Sequence, residues 1–413
     1  MSPINQAVIL CGGLGTRLKP FTNHSPKPMV LVNKRPFLLY LLEQLAEQGI
    51  KKFTLLTGYL GQEIYQYFKN GDQWGWTIDY SHGPVEWDTG RRLWEARSIL
   101  ESRYLLLYSD NFAVLKLTKL LDTHTKNGLP LTLTLSRKQP GNIRIEKSGI
   151  VSSYDKKRIE TGLNFVEIGY MIIERDAVFR SYDQPDVSFS DILSKMVKEK
   201  KVSGFIQADA YHSISDPIRL KKMENYLSNT KILLIDRDGT INARRPRGEY
   251  VSEWKYFEWI PETKQALKAL AKKGFKFIVI SNQAGVSRGM INKDKLVSIT
   301  QNMEAEFAKE SIQILHTYIC EHHWEEDCNC RKPKPGLFYQ AAKDWLFRLD
   351  NTLFVGDDSR DCQAALNAGC GSIFLGDPTE LNDLKEEERP ISVHKNFLEA
   401  VPKITNYFDK YQL

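Results

Sequence analysis

Long apolar runs are missing from this sequence of 413 residues, and so are short repeats and low-complexity tracts. No segment approaches the roughly 20 consecutive apolar residues that a membrane-spanning helix needs. A secretory signal has a positively charged segment before its apolar run. The opening stretch MSPINQAVILCGG has no such charged segment before its short apolar run. We therefore expect a protein without a membrane partner, located in the cytoplasm.

The sequence also lacks a large excess of one charge sign. The chain has 57 Lys and Arg against 51 Asp and Glu, for a formal net charge of +6, and both signs are interleaved. A nucleic-acid-binding surface shows a clustered basic patch or stripe. The composition therefore argues against a nucleic-acid partner and favours small-molecule substrates. It indicates a globular protein, since apolar residues make up 42%.

Cysteine is the third scarcity, with six residues at uneven spacing. Because disulfides are rare in the cytoplasm, we expect these cysteines to serve metal binding, chemistry or packing. Cys11, Cys362 and Cys370 are isolated in the sequence, and we expect each of them to be a small packed residue.

The other three cysteines are clustered with two histidines in CEHHWEEDCNC. Cys320, His322, Cys328 and Cys330 form a C-x-H-x5-C-x-C pattern, which leaves His323 as a spare. Three thiolates and an imidazole are a typical ligand set for structural Zn²⁺. We therefore predict a zinc site whose role is mechanical rather than catalytic.

The length exceeds what one ordinary hydrophobic core supports, so we expect two domains. Short β-rich runs alternate with helical patterns, which indicates parallel sheets covered by helices. This alternation starts with a strand at residues 7–10 and starts again with KILLID at 231–236. A helix ends between them near Ser228. We predict an α/β protein with domains 1–228 and 231–413.

The first strand of the second domain is followed by two carboxylates. Ligands in open α/β sheets bind at the carboxyl ends of the strands. There Asp236 can attack phosphorus, while Asp238 can protonate the leaving oxygen and later activate water. Asp357 and Asp358 follow the strand TLFV and can complete an oxygen-rich Mg²⁺ site.

Two further motifs follow the same logic. Ser281 and Asn282 end the strand KFIVIS, where they can hold phosphate oxygens, and Lys332 can neutralise a transferring phosphoryl group. Each motif alone is also common in solvated turns. Four motifs in order, each near a strand end, favour a phosphoryl-transfer site.

The motifs IDRDGT, SNQ, RK and VGDD resemble those of the haloacid-dehalogenase superfamily of aspartyl phosphatases, over about residues 231–380. LLIDRDGTIN, SNQAGVSRG and CNCRKPKPG further resemble the D,D-heptose 1,7-bisphosphate phosphatases, with histidinol-phosphate phosphatases as close relatives. The resemblance implies a haloacid-dehalogenase-like Rossmannoid fold and a zinc loop at 320–330.

The same resemblance implies roles for individual residues. Asp236 is the implied nucleophile and Asp238 the implied general acid/base. Ser281 and Lys332 are the implied phosphate partners, and Asn282 and Arg331 are candidate substrate contacts beside them. The implied Mg²⁺ ligands are Asp236, the Asp238 carbonyl and Asp357.

In the first domain a glycine-rich loop follows the strand AVIL. Such loops let backbone N–H groups surround phosphates, and nearby cations add charge. The candidate nucleotide-binding residues are Gly12, Gly13, Gly15, Thr16, Arg17 and Lys27.

The string GGLGTRLKPFTNHSPKPM resembles the sugar-1-phosphate nucleotidylyltransferases, a likeness that covers about residues 5–225. It implies a Rossmann-like, GT-A-like domain in which Arg17 and Lys27 bind and polarise the triphosphate. Asp110 is the implied Mg²⁺ ligand. A likeness to D-glycero-α-D-manno-heptose 1-phosphate guanylyltransferases suggests GTP as the nucleotide.

Two positions depart from that family. Ser213 stands where the family has a second metal-binding Asp, and Asp216 would have to substitute from three residues away. Arg91 and Arg92 occupy a stretch that is rich in glycine or alanine in the family. They either hold extra phosphate or fill the pocket.

The two predicted activities form a sequence, because a heptose 1,7-bisphosphate phosphatase makes the heptose 1-phosphate that a nucleotidylyltransferase uses. We therefore expect a bifunctional, Mg²⁺-dependent enzyme of nucleotide-sugar biosynthesis. Two alternatives stay open. One is a phosphatase with a catalytically weakened, nucleotide-sugar-binding regulatory domain. The other is a histidinol-phosphate-type phosphatase fused to another sugar nucleotidyltransferase.

Overall fold

The computed structural model describes residues 4–181, 186–208, 210–228, 230–246 and 248–410. The chain divides into two compact units, Met1–Glu224 and Asn225–Leu413. Both alternate strands with helices, which confirms the predicted α/β class. No helix in the described ranges combines the length and the apolar character needed to cross a membrane.

The described part of the first unit contains a nine-stranded mixed sheet and two two-stranded sheets. Its strands are β1 Gln6–Cys11, β2 Leu31–Val32, β3 Arg35–Pro36, β4 Lys52–Thr57, β5 Thr77–His82, β6 Arg103–Tyr108, β7 Asn111–Ala113, β8 Leu131–Arg137, β9 Ile143–Ile145, β10 Val151–Tyr154, β11 Phe165–Glu174, β12 Val202–Ile206 and β13 Tyr211–Ser213. The two-stranded sheets are β2-β3 and β7-β13. The helices of this unit are α1 Phe37–Glu47, α2 Gly61–Phe68, α3 Thr89–Ala96, α4 Leu117–Asn127, α5 Arg175–Phe179 and α6 Phe189–Lys198. Helix α7 Pro217–Tyr226 begins in this unit and ends just beyond Glu224.

Strand β1 lies inside the nine-stranded sheet, whose order is β10-β9-β11-β6-β1-β4-β5, with β8 paired to β11 and β12 to β8. All six residues of β1 are buried, as expected for an apolar strand covered on both faces. Strands β1 and β6 are parallel, and Leu10 is the register partner of Tyr108. The glycine-rich loop after β1 and Asp110 after β6 therefore lie at the same edge of the sheet.

The second unit has one parallel sheet. Its strands are β14 Ile232–Ile235, β15 Lys276–Asn282, β16 Ile314–Cys320, β17 Leu353–Gly356, β18 Gly371–Leu375 and β19 Ser392–His394. Its helices are α8 Pro261–Ala271, α9 Lys293–Lys309, α10 Gly336–Trp345, α11 Ser359–Ala368 and α12 Phe397–Asp409. The strand order is β16-β15-β14-β17-β18-β19.

Strand β14 lies between β15 and β17, where the strand order reverses direction along the chain. Its side chains alternate between the two faces of the sheet. Leu233 and Ile235 pack in one core cluster, and Ile232 and Leu234 pack in another. Because both faces are covered, a ligand approaches at the strand ends, and the reversal point is the favoured place.

Candidate active sites

The carboxyl ends of β14, β15 and β17 bring the predicted phosphatase residues together. Asp236 follows β14, Ser281 lies in β15, and Asp357 follows β17. A cavity of about 600 Å³ opens there. The predicted residues that line this phosphatase cavity are Asp236, Asp238, Ser281, Asn282, Arg331 and Lys332.

Lys332 is the buried cation of this site, with 4% of its side chain exposed. Its Nζ lies 2.7 Å from Asp236 Oδ1 and 2.7 Å from Asp361 Oδ1. Burial alone would lower the pKa of Lys332, but the two carboxylates outweigh burial and raise it. The Asn282 amide bonds the backbone N–H and C=O of Lys332 at 3.1 Å each. Asn282 therefore positions Lys332 in addition to lining the cavity.

Three carboxylates crowd together beside Lys332. Ligand oxygens of Asp236, Asp357 and Asp361 lie within 4.8 Å of one another. Burial raises the pKa of Asp236 to about 7 and that of Asp357 to about 8, and neighbouring carboxylates add to both shifts. Among the described residues, buried Asp357 Oδ1 has no hydrogen-bond partner. Crowded carboxylate oxygens with an unpaired atom fit a hard cation such as Mg²⁺.

The Asp238 carboxylate is not a member of this cluster. Its carboxylate accepts hydrogen bonds from Arg237 at 3.1 Å, from Asn242 at 3.0 Å and from Gln283. Burial would raise the pKa of Asp238, but Arg237 and these hydrogen bonds outweigh burial and lower it. For the predicted metal contact, Asp238 therefore has its main-chain carbonyl rather than its carboxylate.

Gly239 makes the tight approach of this loop possible. A Cβ atom at this position would lie 1.7 Å from Asp357 Oδ2, and its φ of +93° is in the range that favours glycine. Any side chain here would displace the Asp357 carboxylate.

Asp358, the second carboxylate of the VGDD motif, has a different position. It caps α11 by accepting the Arg360 N–H at 3.0 Å, and it pairs with the Arg360 guanidinium at 2.7 Å. Only Asp357 of the two belongs to the carboxylate cluster. The third member, Asp361, was missed from sequence, although the third Asp of DDSRD was an available signal. Arg244, which lies 2.8 Å from Asp357 Oδ2, was also missed.

The four predicted zinc ligands converge. Cys320 Sγ lies 3.7 Å from Cys328 Sγ and 3.4 Å from Cys330 Sγ, and His322 Nδ1 lies 3.1 Å from Cys330 Sγ. A tetrahedron with Zn–S bonds near 2.3 Å has edges of about 3.8 Å, so the donor set fits this metal. His323 lies outside the set, because its Nδ1 accepts the Glu325 N–H.

The three isolated cysteines are buried. Burial raises the pKa of Cys11 to about 12 and that of Cys362 to about 12, so both thiols stay protonated near neutral pH. These cysteines are packed residues in the structure, as the sequence suggested.

In the first unit a cavity of about 380 Å³ lies at the ends of β1 and β6. The predicted residues that line it are Gly12, Gly13, Gly15, Thr16, Arg17, Lys27 and Asp110. Lys27 Nζ lies 2.6 Å from Asp110 Oδ2. The structure thus places every predicted nucleotide-binding residue around one cavity.

The Arg92 side chain lies at the base of the cavity and contacts the glycine-rich loop. Its buried guanidinium donates to the Pro84 carbonyl at 2.6 Å and the Thr57 carbonyl at 2.7 Å, with a longer bond of 3.4 Å to Gly12. A Cβ atom at Gly12 would lie 2.3 Å from Arg92 Cζ. Arg92 therefore fills space at the base of the cavity, the second of the two predicted alternatives.

Arg91 is engaged elsewhere. Its guanidinium lies 2.7 Å from Glu95 and 2.9 Å from Asp186. Both contacts neutralise its charge, so the structure gives no support to a phosphate-binding role for Arg91.

Ser213 lies close to Asp110 in space, because its strand β13 pairs with β7, which begins directly after Asp110. Ser213 pairs with Asn111 across β13 and β7, and the following N–H donates to the Asp110 carbonyl at 2.9 Å. Its hydroxyl accepts from Arg219 Nη1 at 3.2 Å.

Asp216 does not replace the missing carboxylate. Its Oδ1 accepts the Arg219 N–H at 2.9 Å at the start of α7. Asp110 is therefore the predicted carboxylate available for a metal. Mg²⁺ held by one carboxylate takes its other ligands from nucleotide phosphates and water, so this donor set fits Mg²⁺ together with a bound nucleotide.

Comparison with known proteins assigns both units. A family model described as nucleotidyl transferase matches residues 6–213, and one described as polynucleotide kinase 3 phosphatase matches residues 231–369. The D-glycero-beta-D-manno-heptose-1,7-bisphosphate 7-phosphatase of Vibrio cholerae is 35% identical over 151 residues, covering 35% of this chain and 79% of the relative.

Two further comparisons follow, one for each unit. The D-glycero-alpha-D-manno-heptose-1,7-bisphosphate 7-phosphatase of Campylobacter jejuni is 32% identical over 179 residues, covering 43% of this chain and 96% of the relative. The crystal structure of HddC from Yersinia pseudotuberculosis is 24% identical and covers 55% of this chain and 100% of that chain, with a TM-score of 0.48.

The chain is thus an enzyme that joins a nucleotidyltransferase domain to a haloacid-dehalogenase-like phosphatase domain. It belongs to the nucleotidyl transferase family through its first unit and to the heptose-1,7-bisphosphate 7-phosphatases through its second. Both resemblances expected from the sequence are confirmed.

Proposed function

We propose that the chain catalyses two consecutive steps in the synthesis of a nucleotide-activated heptose. The second unit removes the 7-phosphate of D-glycero-D-manno-heptose 1,7-bisphosphate. The first unit joins the resulting heptose 1-phosphate to the GMP part of GTP, which gives GDP-heptose and pyrophosphate. Membership in the two families supports this pairing, because the product of one reaction is the substrate of the other.

The observation that carries the phosphatase proposal is the Lys332 bridge between Asp236 and Asp361, beside Asp357. A carboxylate oxygen of Asp236 attacks the phosphorus of the 7-phosphate, and the bond to the sugar oxygen O7 breaks. Lys332 neutralises charge on the transferring phosphoryl group. Water then attacks the phosphorus of the aspartyl-phosphate, the bond between that phosphorus and the Asp236 oxygen breaks, and inorganic phosphate leaves.

Asp238 moves the proton in both half-reactions, to O7 in the first and from water in the second. Arg237 and Asn242 hold Asp238 ionised, which suits its role as the base. The proton for O7 is taken up when the dianionic phosphate binds beside Asp238, because a nearby negative charge raises the proton affinity of a carboxylate.

Two metals complete the proposal. Mg²⁺ at Asp236, Asp357 and Asp361, with the Asp238 carbonyl, would supply positive charge to the phosphate oxygens. Zn²⁺ at the four Cys and His ligands would fix the loop that carries Arg331 and Lys332. A cytoplasmic location suits both the reduced thiols and the supply of nucleoside triphosphate.

In the first unit, backbone N–H groups of the glycine-rich loop and the side chains of Arg17 and Lys27 bind the triphosphate. An oxygen of heptose 1-phosphate attacks the α-phosphorus of GTP, and pyrophosphate leaves. Asp110, with the nucleotide phosphates, would hold the Mg²⁺ that offsets charge there. GTP is proposed from the likeness to guanylyltransferases.

Ser213 favours one alternative, a first unit that binds nucleotide sugar with weak catalysis. Matched variants separate the two proposals. Asp236→Asn should abolish phosphate release and still make nucleotide sugar from supplied heptose 1-phosphate. Arg17→Ala should do the reverse. Malachite green measures phosphate, and chromatography measures the nucleotide sugar.

Each outcome of this comparison decides one point. Nucleotide sugar that forms equally well in wild type and Arg17→Ala would contradict the assigned role of the first unit. No nucleotide sugar from wild type with any nucleoside triphosphate would favour the regulatory alternative. Faster hydrolysis of histidinol phosphate than of the heptose bisphosphate would contradict the proposed substrate.

A further inference from the structure

An aromatic clamp lies at the phosphatase cavity. The Arg288 guanidinium carbon lies 5.5 Å from the ring centre of Trp324 and 5.9 Å from that of Tyr250. Arg288 Nη1 also donates to Tyr250 Oη at 3.2 Å. Arg288, Trp324 and Tyr250 all line the cavity that contains Asp236.

Arg288 differs from most cations around this cavity. Arg244, Arg360 and Lys332 each lie within 2.8 Å of a carboxylate oxygen. In the part of the chain that the structure describes, Arg288 makes no such ion pair, and its contacts are the two rings and a phenol oxygen. Aromatic faces restrain a guanidinium while its N–H edge stays available for an anion.

Trp324 is held in place by the Cys and His loop. It lies between the cluster members His322 and Cys328, and its ring centre is 3.7 Å from that of His323. His323 is itself fixed, since its backbone N–H donates to Glu326 at 2.6 Å. Trp324 is 55% exposed and lines the phosphatase cavity, so its ring is accessible to a ligand bound there.

Trp324 also lines a second cavity of about 300 Å³. Arg331, Lys332 and Arg360 line both cavities as well. Trp324 therefore lies at the boundary of two adjoining spaces that share three cations. Its loss would widen the space around the substrate in addition to releasing Arg288.

The substrate proposed for this unit carries two phosphates, and Asp236 with Lys332 accounts for one. We infer that Trp324 is a positioning residue that clamps Arg288 against Tyr250, so that Arg288 binds the phosphate that is not transferred. The clamp thereby sets the preference for sugar bisphosphates over monophosphates. This inference rests on the proposed phosphatase function.

The test compares kcat and KM for D-glycero-D-manno-heptose 1,7-bisphosphate and for p-nitrophenyl phosphate, which has one phosphate. For Trp324→Ala we expect the ratio of the two kcat/KM values to fall at least tenfold, chiefly through a higher KM for the bisphosphate. Trp324→Phe keeps an aromatic face and should recover most of the ratio. Trp345→Ala removes an exposed indole outside both cavities and is the matched control.

A second variant tests whether the effect of Trp324→Ala comes only from damage to the Cys and His loop. Arg288→Lys keeps the charge but loses the planar group that stacks, and it leaves the Cys and His loop intact. Arg288→Lys should lower the ratio of kcat/KM values as Trp324→Ala does. In the double variant the fold-decrease in this ratio should be smaller than the product of the two single fold-decreases. Zinc content measured on every variant reports whether the loop is intact.

Two different kinetic results would contradict the inference, and they can be told apart. A wild-type preference for the bisphosphate that both Trp324→Ala and Arg288→Lys retain would overturn the inference alone. A wild-type enzyme without such a preference would overturn the inference together with the proposed substrate.

Discussion

Replacing Lys332 by Met removes the cation between two buried carboxylates while keeping a similar side-chain length. Lys332 Nζ lies 2.7 Å from both Asp236 and Asp361. Removing one partner of a buried ion pair costs about 3–5 kcal/mol of unfolding free energy, because the other charge is left uncompensated. The carboxylates can reduce that cost by binding protons, so the loss should be smaller at pH 5.5 than at pH 8.

Catalysis should suffer in two ways. Losing a charge that stabilises the transferring phosphoryl group lowers kcat by about 10²–10³-fold. Lys332 also opposes the burial that raises the pKa of Asp236 to about 7. Without Lys332 this pKa rises further, so the acidic limb of the pH–rate profile should move to higher pH.

The assay is phosphate release across pH 5 to 9 at fixed Mg²⁺, with urea denaturation of the same samples. Lys332→Arg keeps the charge and should hold the acidic limb near its wild-type position. A Lys332→Met enzyme with less than tenfold loss in kcat and an unmoved acidic limb would refute the role assigned to the lysine.

Three further predictions follow from other parts of the structure. Purified protein should contain one zinc per chain, and Cys328→Ser should lose it and lower the thermal midpoint, as metal analysis and calorimetry can show. Arg92→Met should cost about 3 kcal/mol in urea denaturation, because two short hydrogen bonds from a charged donor are lost, whereas Arg91→Met should cost about 1 kcal/mol or less. Mg²⁺ should raise the thermal midpoint more at pH 8 than at pH 5.5.

The sign of the Mg²⁺ effect follows from the raised pKa values of Asp236 and Asp357, about 7 and about 8. A carboxylate with a raised folded-state pKa binds more protons in the folded state, so stability without metal falls as pH rises from about 4 toward 8. At pH values below these two folded-state pKa values Mg²⁺ must displace protons, which weakens its binding by up to about tenfold per pH unit for each proton. An equal shift of the midpoint at both pH values would contradict this assignment.

The structural features that the sequence predicted depend on local physics. Strands covered on both faces, such as β1 and β14, are apolar apart from Gln6 at the start of β1, so their positions are visible without a structure. Polar residues at the ends of neighbouring parallel strands must meet at one edge of the sheet. For that reason Asp236, Ser281 and Asp357 could be placed together in advance.

The missed parts depend on directions that sequence does not encode. Asp357 and Asp358 are adjacent and chemically alike, but one joins the carboxylate cluster and the other caps α11. Asp361 joins the cluster because the first turn of α11 aims it back at Lys332. For Arg92 the sequence left two alternatives open, because the backbone carbonyls that hold its buried guanidinium come from loops whose paths sequence does not show.

We propose that one chain performs both steps in order. Phosphorus NMR follows every phosphate species at once when the protein is mixed with Mg²⁺, GTP and D-glycero-D-manno-heptose 1,7-bisphosphate. We expect inorganic phosphate and heptose 1-phosphate to appear first, and pyrophosphate and GDP-heptose to follow. Accumulation of heptose 1-phosphate with no pyrophosphate, for GTP and every other nucleoside triphosphate, would contradict this proposal.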